Sequence, residues 1–189
     1  MTVDELAGLP IRPETSADEA AVREVVGAAF GGEQVPGLLD DLRRSVAWLG
    51  LSLVAEADGQ VCGHVSLTRG WVDAPRRIVD VLVLSPLSVR PDRQGRGVGS
   101  ALVEEALRTA AQRPEPLVFL EGSPRYYPRF GFVPGGSLGF TPPSVRIPPP
   151  AFQVFVLPSH QSWVRGALVY PDVFWRHDAV GLREDVAGG

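Results

Sequence analysis

Apolar positions recur along this chain with two different spacings, and the switches between them divide it into elements. Val22, Val25, Val26 and Ala29 stand three and four apart, which predicts a helix to about Phe30. Ser16-Ala-Asp-Glu19 ahead of them reads as a capping box, and Gly31-Gly32 behind them as a stop. Leu38, Leu39 and Leu42 predict a second helix from Pro36 to Ala47, and Ile11–Pro13 reads as a short opening strand. From Leu51 the period becomes two. Leu51–Ala57 reads as a strand, and Asp58-Gly59 is a strong hairpin signal. Val61, Val65 and Leu67 then alternate with Cys62, His64, Ser66 and Thr68 on a returning strand. Ile78–Val89 is a long β-branched strand containing Pro86, which has no N–H to give to a ladder, so the strand should bulge or part from a neighbour there.

Helical spacing returns at Val98, Leu102, Val103, Ala106, Leu107 and Ala110, in a helix expected to reach Arg113. Leu117–Leu120 is a short, wholly apolar strand. Ser123-Pro124 has the chemistry of a helix start, with Gly131 as its end. Phe132–Pro134 and Ala151–Leu157 read as a last pair of strands, with an irregular Pro- and Gly-rich stretch from Pro134 to Pro150 between them. The tail, Gly166–Arg176, carries Tyr170, Phe174 and Trp175 and is expected to pack. The order β-α-α-β-β-β-α-β-α-β-β, without repeats or a break in composition, argues a single-domain α/β sandwich across residues 1–189.

Composition removes several kinds of chemistry. All 18 basic residues among the 189 are arginines, so a P-loop and a lysine Schiff base are both excluded. The one cysteine, Cys62, rules out an internal disulfide, and nothing beside it would activate it as a nucleophile. It and the histidines His64, His160 and His177 have no metal-ligand spacing, so no metal is expected. The segment Met1–Pro10 has no apolar targeting core, and no apolar run approaches the ~18 residues of a membrane span. A soluble cytoplasmic protein is expected, with no membrane partner. A net charge of −4 argues against general affinity for nucleic acid.

The strongest chemical signal is Gln94-Gly-Arg-Gly-Val-Gly-Ser100, between a strand and a helix. Glycines let backbone approach a ligand closely, and the first helical N–H groups are unpaired and electropositive, which suits phosphate. Arg90, Arg93 and Arg96 add charge. Taken alone, such glycines also suit a plain strand-to-helix connection. A dinucleotide-binding loop fits poorly, because Ser100 stands where its third glycine belongs and several strands precede it.

The run Leu87-Ser-Val-Arg-Pro-Asp-Arg-Gln-Gly-Arg-Gly-Val-Gly-Ser100 resembles the acetyl-CoA segment of the GNAT superfamily of N-acetyltransferases, through Gln94, Gly97 and Gly99. Tyr127-Pro-Arg-Phe-Gly-Phe132 is similar to the family's tyrosine followed four residues later by Gly-Phe. With the matching element order, the resemblance covers about residues 11–157, and leaves 158–189 as a C-terminal extension. It implies a mixed, mostly antiparallel sheet flanked by helices, in which Ile78–Val89 splays from Leu117–Leu120. It also implies that Leu87, Ser88, Val89, Gln94, Gly95, Arg96, Gly97, Val98, Gly99 and Ser100 hold acetyl-CoA, with Arg125 and Arg129 nearby. Tyr127 would protonate the departing sulfur, and Tyr126 beside it would pack or touch the cosubstrate.

The implied reaction is direct attack of a primary amine, on a small molecule or a protein, on the thioester. A non-catalytic acyl-CoA sensor on the same fold is the alternative. The general base is left open. Many relatives carry a glutamate where Ser85 stands here; Glu33, Asp80 and Glu121 are candidates, as are a water relay or an amine that arrives neutral. His64 reads more readily as a strand histidine than as a base. Acceptor walls are expected from Gly31–Gly37 and from Pro134–Pro150. A homodimer is common in similar proteins, and the aromatic tail is the surface that would serve it.

Overall fold

The computed structural model describes residues 9–182; the rest of the acidic N-terminal stretch, 1–8, and the end of the C-terminal extension, 183–189, lie outside the described residues. Strand β1 (Ile11–Pro13) leads to helices α1 (Glu19–Phe30) and α2 (Gln34–Arg43), then to strands β2 (Leu51–Ala57), β3 (Gln60–Asp73) and β4 (Ile78–Val89). Helix α3 (Val98–Ala110) and strand β5 (Leu117–Glu121) follow. Four strands come next, β6 (Val133–Pro134), β7 (Phe140–Thr141), β8 (Phe152–Val156) and β9 (Gly166–Val169), and then helix α4 (Asp172–Arg176).

The strands form one open sheet in the order β1-β2-β3-β4-β5-β8-β6, while β9 pairs with the far end of β3 and with β7. Every pairing is antiparallel except β4 with β5 and β7 with β9. The architecture is the expected single-domain, mostly antiparallel α/β fold.

Side chains alternate across a strand, so a strand buried on both faces must be apolar throughout. β5 meets that demand. Leu117 and Phe119 join the core beneath α2 and α4, where Phe119 stacks on Phe152 and meets Phe140 edge-on. Val118 and Leu120 join the core beneath α3, with Leu102, Val103 and Phe132. β4 divides likewise, with Val79, Val81 and Val83 on the first side and Leu82 and Leu84 on the second. A smaller cluster seats Val22 and Val26 of α1 on Val54 of β2.

Several local expectations shift. The capping box lies one residue earlier than read: the Thr15 N–H and hydroxyl both donate to Asp18, at 2.8 and 2.7 Å. Arg12 grips the same carboxylate with two N–H groups, and this pulls residues 16–18 into a 3-10 turn before α1 begins. α2 begins and ends earlier than Pro36–Ala47, because Pro36 fits within its first turn and the Ser45 hydroxyl, bonded to the Leu42 carbonyl, turns the chain away. Ser123-Pro124 opens a turn, and only Tyr127–Phe130 coils, as a 3-10 turn closed by left-handed Gly131. The Pro-rich stretch is not wholly irregular, since it contains β7. Asp58 and Gly59 make the expected hairpin with φ of 54° and 73°.

A polar cluster is sealed between α2 and the first strands. The fully buried His64 lies with Nε2 2.8 Å from the Ser52 hydroxyl, which donates to Glu14, and Arg43 pairs with Glu14. The single Ser52 proton goes to Glu14, so His64 donates through Nε2. Burial holds the His64 pKa below its ordinary value. Burial pushes Glu14 up, but hydrogen bonds from His64 and Ser52 and the charge of Arg43 outweigh it and hold Glu14 low. On unfolding His64 returns to about 6.5, so below that pH the unfolded chain takes up a proton that the folded chain refuses. Stability measured by urea denaturation is therefore expected to fall between pH 6.5 and 5, by at most about 1.4 kcal/mol per unit. His64→Gln should flatten that fall, and an unchanged slope would refute the assignment.

Candidate active site

β4 and β5 are paired only at Leu82–Val118 and Val83–Phe119. Beyond those two rungs they part, while β8 occupies the outer edge of β5 and β3 the other edge of β4. The β3–β4 register slips between Val65/Leu87 and Leu67/Leu84, which places the bulge at Ser85-Pro86, where the Ser66 hydroxyl donates to the Ser85 carbonyl at 2.7 Å. Pro86 thus bulges its strand as its missing N–H requires, but parallel pairing has already ended three residues before it. Arg90 N–H reaches back to the Cys62 carbonyl of β3. The two-residue period of a strand then turns the backbone groups of Leu87 and Val89 the other way, into the gap.

The glycine loop forms the outer end of the gap. The Gln94 side-chain amide donates to the Val89 carbonyl at 3.0 Å and ties the loop to the end of β4. Gly95 and Gly97 have φ of 70° and 86°, a left-handed backbone that a side chain would strain, and Gly97 caps α3. The N–H groups of Val98, Gly99 and Ser100 thereby stand at the open, electropositive end of a 13-residue helix. Together with Leu87, Val89 and Gln94 they line a groove of about 410 Å³. A Cβ on Gly99 would come within 2.8 Å of the Tyr126 hydroxyl, so a larger residue there would displace that ring from the groove floor.

Two of the residues expected in this groove do not offer their side chains to it. Ser88 is buried and pairs with His64, so its hydroxyl lies on the opposite face of β4 from Leu87 and Val89. Arg96 is exposed and points outside the groove lining. Arg93 lines it but is bonded to Asp58 at 2.6 Å, and Arg90 is paired with Asp92. Arg129 has no ion pair among the described residues; it lies 4.0 Å above the Tyr126 ring and faces the groove, which makes it the cation best placed for a phosphate.

Inward, the gap widens into a cavity of about 630 Å³ that shares Leu87 and Tyr126 with the groove. Tyr127 lies in its wall. The ring meets Tyr126 and Phe132 edge-on, with centroids 5.0 and 5.7 Å away. A Cβ on Gly122 would fall 2.3 Å from its Cε2, so Gly122 makes room for that pose. Burial, with a smaller contribution from Tyr126, pushes the Tyr127 pKa up to about 12.

The cavity walls correct the sequence expectation. Val35 comes from the expected Gly31–Gly37 stretch, but no residue of 134–150 takes part; Phe30, Leu38, Tyr170, Phe174 and Ala179 do instead. The tail aromatics were visible in the sequence as burial, not as walls of a site. Of the candidate bases, Glu33 is exposed and paired with Arg23, and Asp80 lies near the far end of β4, 3.6 Å from Arg69. Only Glu121 lines the cavity. His64 is sealed in its own cluster. Cys62 is 1% exposed and its thiol pKa is raised by burial, so it is no nucleophile. Among the described residues no group of His, Cys, Asp and Glu is arranged to hold a metal ion, and no helix is long and apolar enough to cross a membrane.

Comparison with known proteins meets this geometry at several levels. The family model of the acetyltransferase (GNAT) domain matches residues 10–135. The uncharacterized N-acetyltransferase YjhQ of Escherichia coli strain K12 is 36% identical over 135 residues, covering 67% of this chain and 71% of that protein. The crystal structure of the Escherichia coli GNAT N-acetyltransferase YhbS in complex with CoA superposes with a TM-score of 0.79 and 28% identity, across 89% of this chain and 92% of that one. A Brucella melitensis GNAT acetyltransferase in complex with acetyl-CoA gives 0.70 and 31%, across 88% and 97%. A widening gap between parallel strands, entered past a glycine-capped helix, thus occurs in a sequence matched across two thirds of its length: the chain belongs to the GNAT acetyltransferase family.

Proposed function

We propose that acetyl-CoA lies along the β4–β5 gap, and that its acetyl group passes to a primary amine held in the inner cavity. The observation that carries this reading is the continuity of the two spaces. A helix N-terminus suited to a pyrophosphate opens, past Leu87 and Tyr126, onto the half-buried phenol of Tyr127. The fit is supported by the Gly99 floor, by the unpaired amides of Val98, Gly99 and Ser100, and by the strand edge at Leu87 and Val89. Gly95 and Gly97 shape the loop, Gln94 anchors it, Arg129 supplies charge, Ser88 turns its hydroxyl and its backbone groups away from the gap, and Arg96 contributes at most its backbone. Residues 11–157 contain the donor site on this reading, and the segment after them completes the acceptor wall. The buried, unbonded Cys62 suits a reducing, cytoplasmic setting.

Acetyl-CoA supplies an activated thioester, which an amine attacks directly. The chain's share is orientation and proton handling. The gap aligns the reactants, and Tyr127, neutral at any working pH because burial holds its proton, donates to the sulfur as negative charge develops there. A backbone amide at Val89 is oriented to polarise a carbonyl in the gap.

Acetyl-CoA at a hundred times its dissociation constant is expected to stabilise the protein by about 2.7 kcal/mol in thermal denaturation, and addition of an amine should release free CoA thiol. Stabilisation without thiol release from any amine would favour the non-catalytic sensor. No stabilisation would refute the donor site.

A further inference from the structure

The acceptor cavity has an unusual balance of charge. Its walls include Phe30, Val35, Leu38, Phe174 and Ala179, with the aromatic rings of the tyrosines, and among the described residues no lysine, arginine or histidine lines it. Glu121, at the last position of β5, is its only charged side chain among the described residues. One carboxylate oxygen, Oε2, accepts the Gly181 N–H at 3.0 Å, and the buried Tyr170 interacts with the same carboxyl. The other, Oε1, is buried and accepts no hydrogen bond. A buried carboxylate oxygen without a donor is costly unless a ligand supplies one.

We propose that the Glu121 carboxylate, which lines this cavity, receives the ammonium of the acceptor and takes its proton, and that the acceptor is a monoamine on an apolar or aromatic body. This rests on the inner cavity being the acetyl-transfer site. A free amino acid would bring a carboxylate that finds no cation in these walls, and a polyamine would bury further ammonium groups with no second carboxylate. An aryl or alkyl amine brings one positive charge, for which there is one acceptor, and an apolar remainder that suits the rings.

The protons balance. Of the three on the ammonium, one stays on the product amide, one passes to Glu121 and then to solvent, and one replaces, through Tyr127, the proton delivered to the sulfur. The bond formed is carbon–nitrogen and the bond broken is carbon–sulfur. Burial raises the Glu121 pKa despite the opposing Gly181 and Tyr170 contacts and the Arg146 charge, which brings it nearer that of the ammonium it deprotonates.

The test compares CoA thiol release with 2-phenylethylamine, phenylalanine and spermidine, for the natural protein and for Glu121→Gln, with acetyl-CoA binding measured in parallel. 2-Phenylethylamine is expected to exceed both others in kcat/KM by at least about tenfold. Glu121→Gln keeps an acceptor for Gly181, and is expected to bind acetyl-CoA normally while losing about a hundredfold in kcat/KM at pH 7. That deficit should shrink as the pH rises toward the amine pKa near 10, because only the proton-accepting step is missing. A purely structural role would leave the pH profile unshifted. Preference for phenylalanine or spermidine, or transfer to none of the three with acetyl-CoA bound, overturns the substrate class. A variant as active as the natural protein overturns the role of Glu121. Failure of the natural protein to bind acetyl-CoA would instead strike the donor-site reading on which both rest.

Discussion

Tyr127→Phe is expected to lower turnover about a thousandfold while leaving acetyl-CoA binding nearly unchanged. The two effects separate because the ring and the hydroxyl have different tasks. The ring is packed edge-on between Tyr126 and Phe132 and against Gly122, and phenylalanine preserves every one of those contacts. The hydroxyl is what burial holds protonated, with a pKa near 12, and it is lost. Thiol release under saturating acetyl-CoA, beside a direct binding titration, measures both. Tyr126→Phe is the informative partner, because the Tyr126 hydroxyl faces Gly99 in the groove and not the cavity interior. It should weaken acetyl-CoA binding more than turnover. Equal turnover of Tyr127→Phe and the natural protein would remove the phenol from the mechanism.

Arg43→Met is expected to cost about 3–5 kcal/mol of folding stability, read as a lowered urea midpoint at pH 7. The Arg43 and Glu14 side chains are 11% and 5% exposed, and Glu14 already shares its carboxylate with Ser52 in the His64 cluster. Methionine fills the space of the arginine stem and keeps a soft contact with Trp48, which Arg43 now faces at 5.8 Å. What it leaves is a buried carboxylate without its cation. Adding Glu14→Gln to Arg43→Met should recover much of the loss, since the stranded charge disappears. A loss below about 1 kcal/mol would mean that the pair behaves as a solvated surface bridge. Against a total stability of about 5–15 kcal/mol, the single change is large enough to unfold part of the population on warming.

The sheet was legible because its rules are local. β4 was bounded at Ile78 and Val89 from β-branched residues alone, and the Asp58-Gly59 turn from backbone preference alone. Helix ends were less legible. Arg12 lies six residues from Asp18, and its two-pronged hold on that carboxylate moves the capping box by a position that no nearby pattern announces. β7 and β9 leave no mark in the sequence, because each is short and finds its partner far along the chain; a two-residue strand has no period to detect. The glycine loop and Tyr127 could be singled out as motifs, whereas Arg129 and Glu121 could not be ranked above other charged residues. What distinguishes them is position: an arginine over a tyrosine ring beside a helix end, and a carboxylate with one oxygen left without a donor. Both depend on how β5, the 3-10 turn after it and the C-terminal segment meet.

The matched family model ends at residue 135, yet Tyr170, Phe174, Ala179 and the N–H of Gly181 stand around the cavity. On the proposed reading the acceptor wall is therefore shared, with Phe30, Val35, Leu38 and Glu121 inside the matched stretch and Tyr170, Phe174 and Ala179 beyond it. Changes in the later stretch can retune which molecule is received without touching the glycine loop or Tyr127. On that reading, likeness to the family model over 10–135 leaves part of the pocket that receives the amine undescribed.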